Sequence, residues 1–195
     1  MTTIKERTEP VNCVVFSARG GMLATASQDK TVRLWDVDGF KEIKALGKHP
    51  RGVLSIAFSP DGATLATGCG DYVKDGPEDV NTGHVRLWDV QSGKLLHTIE
   101  NNLRNVDVAV AKTPLGVVVA ARRSNNRVGI WSLRTGQLVK EFPGRLSAHA
   151  LDFSPDGGKL ALGLWRGDTV LLDVASGRLL KEFAGTPSKK KLRMS

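Results

Sequence analysis

The chain has 195 residues, 41% of them hydrophobic and 25% charged, with a formal net charge of +8. That is enough apolar material for one sizeable core or for several small stacked ones. No apolar stretch approaches the roughly 18 residues needed to span a bilayer, and the opening MTTIKERTEP lacks the apolar run of a signal peptide, so neither is expected. Cys13 and Cys69 sit in apolar, strand-like runs without metal-ligand spacing. They read as reduced thiols, with a disulfide as the alternative, and the expected location is the cytoplasm, or the nucleus if the source is eukaryotic.

In chain order, residues 2–7 read as a strand that precedes the first repeat unit. Four short strands follow near 11–16, 21–27, 31–36 and 41–46. Further units cover roughly 53–99, 104–142 and 147–183. The units are copies of one another. VRLWDV occurs at Val32–Val37 and again at Val85–Val90, with weaker copies in VGIWSL from Val128 and TVLLDV from Thr169. Asp36, Asp89, Ser132 and Asp173 hold the same place, and their separations of 53, 43 and 41 residues mark a propeller-type repeat. Upstream of three of the copies stands an apolar strand, a turn such as Ser-Pro-Asp-Gly, and a second apolar strand, as in IAFSPDGATLATGC from Ile56. Asp-Gly between alternating apolar runs is a hairpin signal. Downstream, Gly93, Gly136 and Gly177 stand four residues after the aligned Asp or Ser, where a positive φ turns the chain into a fourth strand; the first repeat has Gly39 and Phe40 there. The expected fold is all-β, built from four-stranded antiparallel sheets stacked radially as propeller blades.

These motifs resemble those of the WD-repeat (WD-40) family. The resemblance spans about residues 2–184, is specific in the first two repeats, fair in the fourth and weak in the third. It implies a propeller domain over residues 1–184, with repeats at about 10–47, 48–100, 103–143 and 145–184, and a basic disordered tail at 185–195. It also implies a hydrogen-bonded tetrad of His, Ser or Thr, Asp and Trp within each blade. The second repeat carries the closest match, His49, Thr67, Asp71 and Trp88. The first has Thr25, Asp29 and Trp35, with Arg7 in the His place. The third keeps Trp131 but has Ala121 and Asn125, and the fourth has Leu162, Arg166 and Leu172. Blades three and four are therefore expected to be looser and held mainly by apolar packing. His, Thr and Asp together suggest an activated nucleophile. Their partial recurrence across repeats points instead to a structural network, since an active site normally occurs once.

The second repeat carries about eleven extra residues within DYVKDGPEDVNTGH, Asp71 to His84. The carboxylates there do not have the spacing of a calcium loop, and the segment 72–83 reads as a solvated loop or a partner contact. The resemblance places the turns between second and third strands on the face used for binding. Trp165 and Arg166 in GLWRGD, and Arg122 and Arg123 in RRSNN, are the candidate partner-binding residues, with Arg104 and His149 as weaker candidates. Trp and Arg are the types most enriched at interface hot spots. Local packing on a neighbouring blade is the competing reading of Trp165.

Four repeats are few for this family. Three arrangements follow: an open arc or partial propeller, a ring completed by a second copy or another chain, and a strained closed ring. The function expected is a protein–protein interaction scaffold that presents a propeller face, without catalysis, cofactor or metal. The alternatives are a nucleic-acid-associated adaptor using the basic surface and the tail at Lys189–Arg193, and a propeller enzyme. The tail lacks interleaved aromatics for base stacking. The four histidines, at 49, 84, 97 and 149, fall at different phases of the repeat and do not converge.

Overall fold

A computed structural model describes residues 9–70, 83–103, 107–123, 127–142, 146 and 148–185, without the side chains of 100–103. The strand at residues 2–7, Arg7, the loop 72–83 up to Gly83, Arg104, Asn125 and the tail 186–195 lie outside the described residues.

Sixteen strands form four antiparallel four-stranded sheets, each in sequence order. The first holds β1 (Val11–Phe16), β2 (Met22–Ser27), β3 (Val32–Asp36) and β4 (Lys41–Leu46). The second holds β5 (Val53–Phe58), β6 (Thr64–Cys69), β7 (Gly83–Asp89) and β8 (Leu95–Leu103). The third holds β9 (Val108–Thr113), β10 (Gly116–Arg122), β11 (Val128–Ser132) and β12 (Leu138–Phe142). The fourth holds β13 (Ala148–Phe153), β14 (Lys159–Leu164), β15 (Thr169–Asp173) and β16 (Leu179–Phe183). The strands of the first sheet fall within a residue of the expected positions. The second sheet runs four residues beyond its expected end, because β8 continues to Leu103.

The side-chain period of two gives each sheet two faces. Cross-strand pairing puts Phe16, Leu23 and Trp35 in one row and Val14, Thr25 and Arg33 in the next, all on one face. The same register puts Ile56, Phe58, Leu65 and Trp88 on the matching face of the second sheet. That face packs against the opposite face of the first sheet, where Ala24, Ala26, Val32, Leu34 and Leu46 are buried. The pattern repeats. Val108, Val119 and Trp131 of the third sheet pack on Ala66, Val85, Leu87 and Ile99 of the second. Leu151, Phe153, Leu160 and Leu162 of the fourth pack on Ala109, Ala120, Ile130 and Phe142 of the third. Small residues on one face admit the large residues of the next, so each interface interdigitates at core density.

The inner strands β1, β5, β9 and β13 make contacts from one sheet to the next, and no contact of that extent joins the first sheet to the fourth. The assembly is an open arc of four blades. Two polar bridges tie the inner strands. Asn12 Nδ2 donates to Val53 O at 2.9 Å. Asp107 accepts from Ser55 Oγ at 2.7 Å and from the Leu151 backbone N–H at 3.0 Å, so one carboxylate links the second, third and fourth sheets. Cys13 and Cys69 form no disulfide, and both lie in the core between the first two sheets.

The turns explain the recurrent sequence. In the second sheet Ser59 Oγ donates to Asp61 Oδ1 at 2.5 Å and accepts from Thr64 N–H at 2.9 Å, with Gly62 at φ 74°. Ser154, Asp156 and Gly157 repeat this in the fourth. These bonds hold the Asp61 and Asp156 carboxyls below the usual range, the Ser hydroxyl being the main cause in each. Before the outer strands, Gly93, Gly136 and Gly177 take φ between 67° and 80°. The first sheet puts Phe40 in that place, at φ 49° and 74% exposed. A bulky residue in the left-handed region is strained. Phe40→Gly is expected to raise stability by about 0.5–1 kcal/mol, the relief of that strain less glycine's larger unfolded entropy. Urea unfolding with an unchanged slope checks it, and a loss of stability would show that the Phe40 ring packs usefully.

Candidate partner-binding surface

The turn joining β14 to β15 is short and held by its own backbone. Gly167 N–H donates to Leu164 O at 2.9 Å, Leu164 N–H donates to Asp168 O at 2.8 Å, and Gly167 sits at φ 90°. The Asp168 carboxylate accepts from Gly185 N–H at 2.8 Å, which pins the chain leaving β16 beneath the turn. Such a frame leaves no cover over its tip. Trp165 is 58% exposed and Arg166 beside it is exposed. The Trp165 ring rests on His149 of β13, with ring centroids 5.2 Å apart and planes tilted by 57°. This contact is within the fourth sheet. Trp165 thus has one aromatic neighbour and one open face.

The two other arginines of the candidate set are placed differently. Arg122 is buried between the third and fourth sheets, in a position held by Ala26 or Gly68 in the first two. Its Nη1 donates to Ala148 O at 3.0 Å. The structure assigns it to blade packing and not to the outer surface. Arg123 pairs with Glu141, which also accepts from Arg127 Nη1 at 2.6 Å. The Arg127 hydrogen bond is the largest of the causes that hold the Glu141 carboxyl below its usual range. Arg123 is therefore half-committed within its own sheet. Arg104 lies outside the described residues. The sequence motif RRSNN gave no sign of this division, because which arginine faces a neighbouring blade is settled by the side-chain alternation of β10 and by the sheet packed against it.

The tetrad residues form a chain in the second sheet. Trp88 Nε1 donates to Thr67 Oγ1 at 3.0 Å, and Thr67 Oγ1 lies 2.8 Å from His49 Nε2. The indole N–H only donates, so Thr67 Oγ1 accepts it, and the Thr67 hydroxyl also lies 3.4 Å from Arg86 O. Which partner donates in the His49–Thr67 bond follows from the imidazole tautomer. Nδ1 has no partner among the described residues, and Asp71 lies outside them. The His49 and Trp88 rings are in tilted contact, with centroids 5.3 Å apart and planes at 52°. Burial, with Arg86 nearby as a second cause, lowers the His49 pKa to about 4. His49 is a buried neutral base without exposed substrate access. In the first sheet Trp35 Nε1 donates to Thr25 Oγ1 at 2.9 Å, while Asp29 accepts from Thr31 N–H and Oγ1 at 2.9 and 2.6 Å and so caps its own turn.

A groove of about 560 Å³ opens on the opposite rim, between the second and third sheets, lined by Ser59, Asp61, His97, Leu115, Val117 and Arg134. Among the described residues no group of three or more His, Cys, Asp or Glu side chains is placed to hold a metal ion.

A fold of radially stacked four-stranded sheets with Ser/Thr–Trp hydrogen bonds inside the blade defines a WD-type β-propeller segment. Comparison with known proteins agrees. Residues 1–36 and 40–89 match the family model described as WD domain, G-beta repeat. Autophagy-related protein 16 of Arabidopsis thaliana is 27% identical over 176 residues, 90% of this chain and 32% of that protein. WD repeat-containing protein SL1-17 of Schistosoma mansoni is 30% identical over 168 residues, 86% of this chain and 52% of that protein. A guanine nucleotide-binding protein subunit beta of Oryza sativa is 29% identical over 166 residues, 77% of this chain and 40% of that protein. The matched repeats, the relatives and the fold together support a WD-repeat family for the chain. It spans between about a tenth and about half of the length of the curated relatives it matches.

Proposed function

We propose that the chain is a non-catalytic scaffold that presents the β14–β15 side of its arc to partner proteins, with Trp165, Arg166 and His149 at the contact. The observation that carries this reading is the exposed Trp165 on a rigid turn. A tryptophan with a ring neighbour on one side and an open face on the other offers apolar area that a docking partner would bury. Arg166 adds a charged donor of the type enriched beside aromatic anchors. The recurrent Thr–Trp bonds and the buried neutral His49 support structural roles for those residues. One relative is named as a subunit of a larger protein, which fits a binding role. The cytoplasm is the proposed setting.

The test is affinity capture with the intact chain against Trp165→Ala and Arg166→Ala, with thermal melts alongside. The expected result is a partner lost or weakened at least tenfold by Trp165→Ala, the scale of one anchor residue. The melting temperature is expected to stay within about 1 °C, because the side chain is mostly exposed. An unchanged captured set would move the binding surface elsewhere on the arc. Capture that is abolished by raised salt and unaffected by Trp165→Ala would favour nucleic acid instead.

A further inference from the structure

The three sheet-to-sheet contacts share a clasp at the outer edge. The outer-strand residue paired with Leu34, Leu87 or Ile130 is Lys44, His97 or Lys140. Each reaches a backbone carbonyl in the turn before the next sheet's outer strand. Lys44 Nζ donates to Gln91 O at 2.6 Å, His97 Nε2 to Arg134 O at 3.0 Å, and Lys140 Nζ to Ala175 O at 2.5 Å. Each side chain also lies along the glycine of that turn, where a Cβ on Gly93, Gly136 or Gly177 would come within 2.6–2.8 Å of it.

Both halves of this contact recur at the ends of the arc without a clasp partner among the described residues. In the fourth sheet Lys181 pairs with Leu171 in the clasp position, is exposed, and has no hydrogen bond or ion pair among the described residues. In the first sheet the matching carbonyl belongs to Asp38, in an exposed turn two residues past Asp36. The apolar positions behave alike. Leu46, Ile99 and Phe142 are buried under the next sheet, whereas Phe183, in the same register, is 53% exposed. Ile56 and Phe58, and Leu151 and Phe153, are buried against the preceding sheet, whereas Val14 and Phe16 are each 60% exposed. Small Ala150, Ala161 and Gly163 stand on the free fourth face, as Ala24 and Ala26 do on the covered first one.

We propose that these two ends bind each other between two copies of the chain. The free face of the fourth sheet in one copy seats on Val14 and Phe16 of the other, and Lys181 closes on the Asp38 turn. Asp38 adds a carboxylate opposite the lysine, which none of the three internal acceptor turns has at that place. Repeating the contact at both ends makes a closed two-fold pair of eight sheets, within the range in which propellers close. Two residues depart from the internal pattern. Asp152 stands where Val15, Ala57 and Ala109 do, and Phe40 replaces the clasp glycine. Both weaken the contact relative to the internal ones, so the pair forms and dissociates reversibly.

Sedimentation velocity of the 195-residue chain over roughly 1–100 µM, the range where a reversible pair of micromolar affinity dissociates, tests this. The expected result is a monomer–dimer equilibrium that stops at the dimer. Phe16→Asp is expected to weaken it at least about tenfold, by placing a charge in an apolar contact. Lys181→Glu is expected to weaken it about fivefold, and Lys181→Glu with Asp38→Lys to recover most of that loss, the size of a partly exposed ion pair. All these positions are exposed, so circular dichroism should show an intact fold. A chain that stays monomeric throughout, or a dimer indifferent to both Phe16→Asp and Lys181→Glu, overturns the proposal.

Discussion

Lowering the pH from 7.5 to 5 is expected to destabilise the fold by about 2 kcal/mol through His49 alone. The folded pKa of this histidine is about 4, against an ordinary value of 6.5. Between those values the unfolded chain binds the proton and the folded chain does not. The stability is therefore complete above about pH 6.5, is lost as pH falls, and levels off below about pH 4. Protonation has a local consequence as well. It puts a proton on both ring nitrogens, so Nε2 can then only donate to Thr67 Oγ1, which also accepts from Trp88. The measurement is urea unfolding as a function of pH for the native chain and His49→Gln. The variant should be less stable at pH 7.5 and should lose about 2 kcal/mol less than the native chain on going to pH 5. Parallel profiles for the two proteins would show that His49 is not the titrating group.

The second large effect separates two tryptophans that look alike in sequence. Trp131→Ala is expected to cost about 4 kcal/mol, and about 10 °C or more in melting temperature. Trp131 is 1% exposed, among the most buried large side chains, and its ring lies over Gly129, where a Cβ would come within 2.4 Å of it. Trp165→Ala is expected to change stability by less than about 0.5 kcal/mol. A small cost for Trp131→Ala would mean that the third sheet is plastic enough to collapse into the space.

That contrast bears on the third and fourth blades, where the tetrad is replaced by apolar residues. Ala121, Trp131, Leu162 and Leu172 are all buried, as are Phe142 and Leu160 beside them. Apolar packing replaces the hydrogen-bonded network there, and burial is as complete as in the first two sheets. Looser opening of these blades, the expectation from the lost tetrad, is a matter for hydrogen exchange.

Much of the fold was legible because the information is local and repeated four times. The Asp-Gly turns, the alternating apolar strands and the glycines before each outer strand each declare a piece of the blade. The resemblance to the WD-repeat family assigned partners to Thr25, Thr67, Trp35 and Trp88, and the structure makes those Thr–Trp bonds. The binding candidates were less legible. Arg122, Arg123 and Arg166 have the same chemistry in sequence, but of the three only Arg166 is exposed, because burial is decided by which sheet lies against each strand. His149 carried little sequence signal, and its place under Trp165 follows from β13 and β14 being neighbours. Asp107 was missed altogether. A lone carboxylate at a strand start has no motif, and only the convergence of three sheets at the inner edge gives it two donors.

The sequence by itself determined the blade: its four strands, its turns, its Thr–Trp pair and the period that repeats it. These depend on residues close in the chain, where backbone preference and side-chain alternation act directly. Tertiary structure alone decided which face of each blade is covered, which arginines are inside, and that the described strands of the first and fourth blades are not packed together. The physical reason is that burial and clasp bonds belong to pairs of blades. Equivalent repeat positions, such as Phe16 and Phe58 or Lys140 and Lys181, end in different environments according to whether a neighbouring sheet is present.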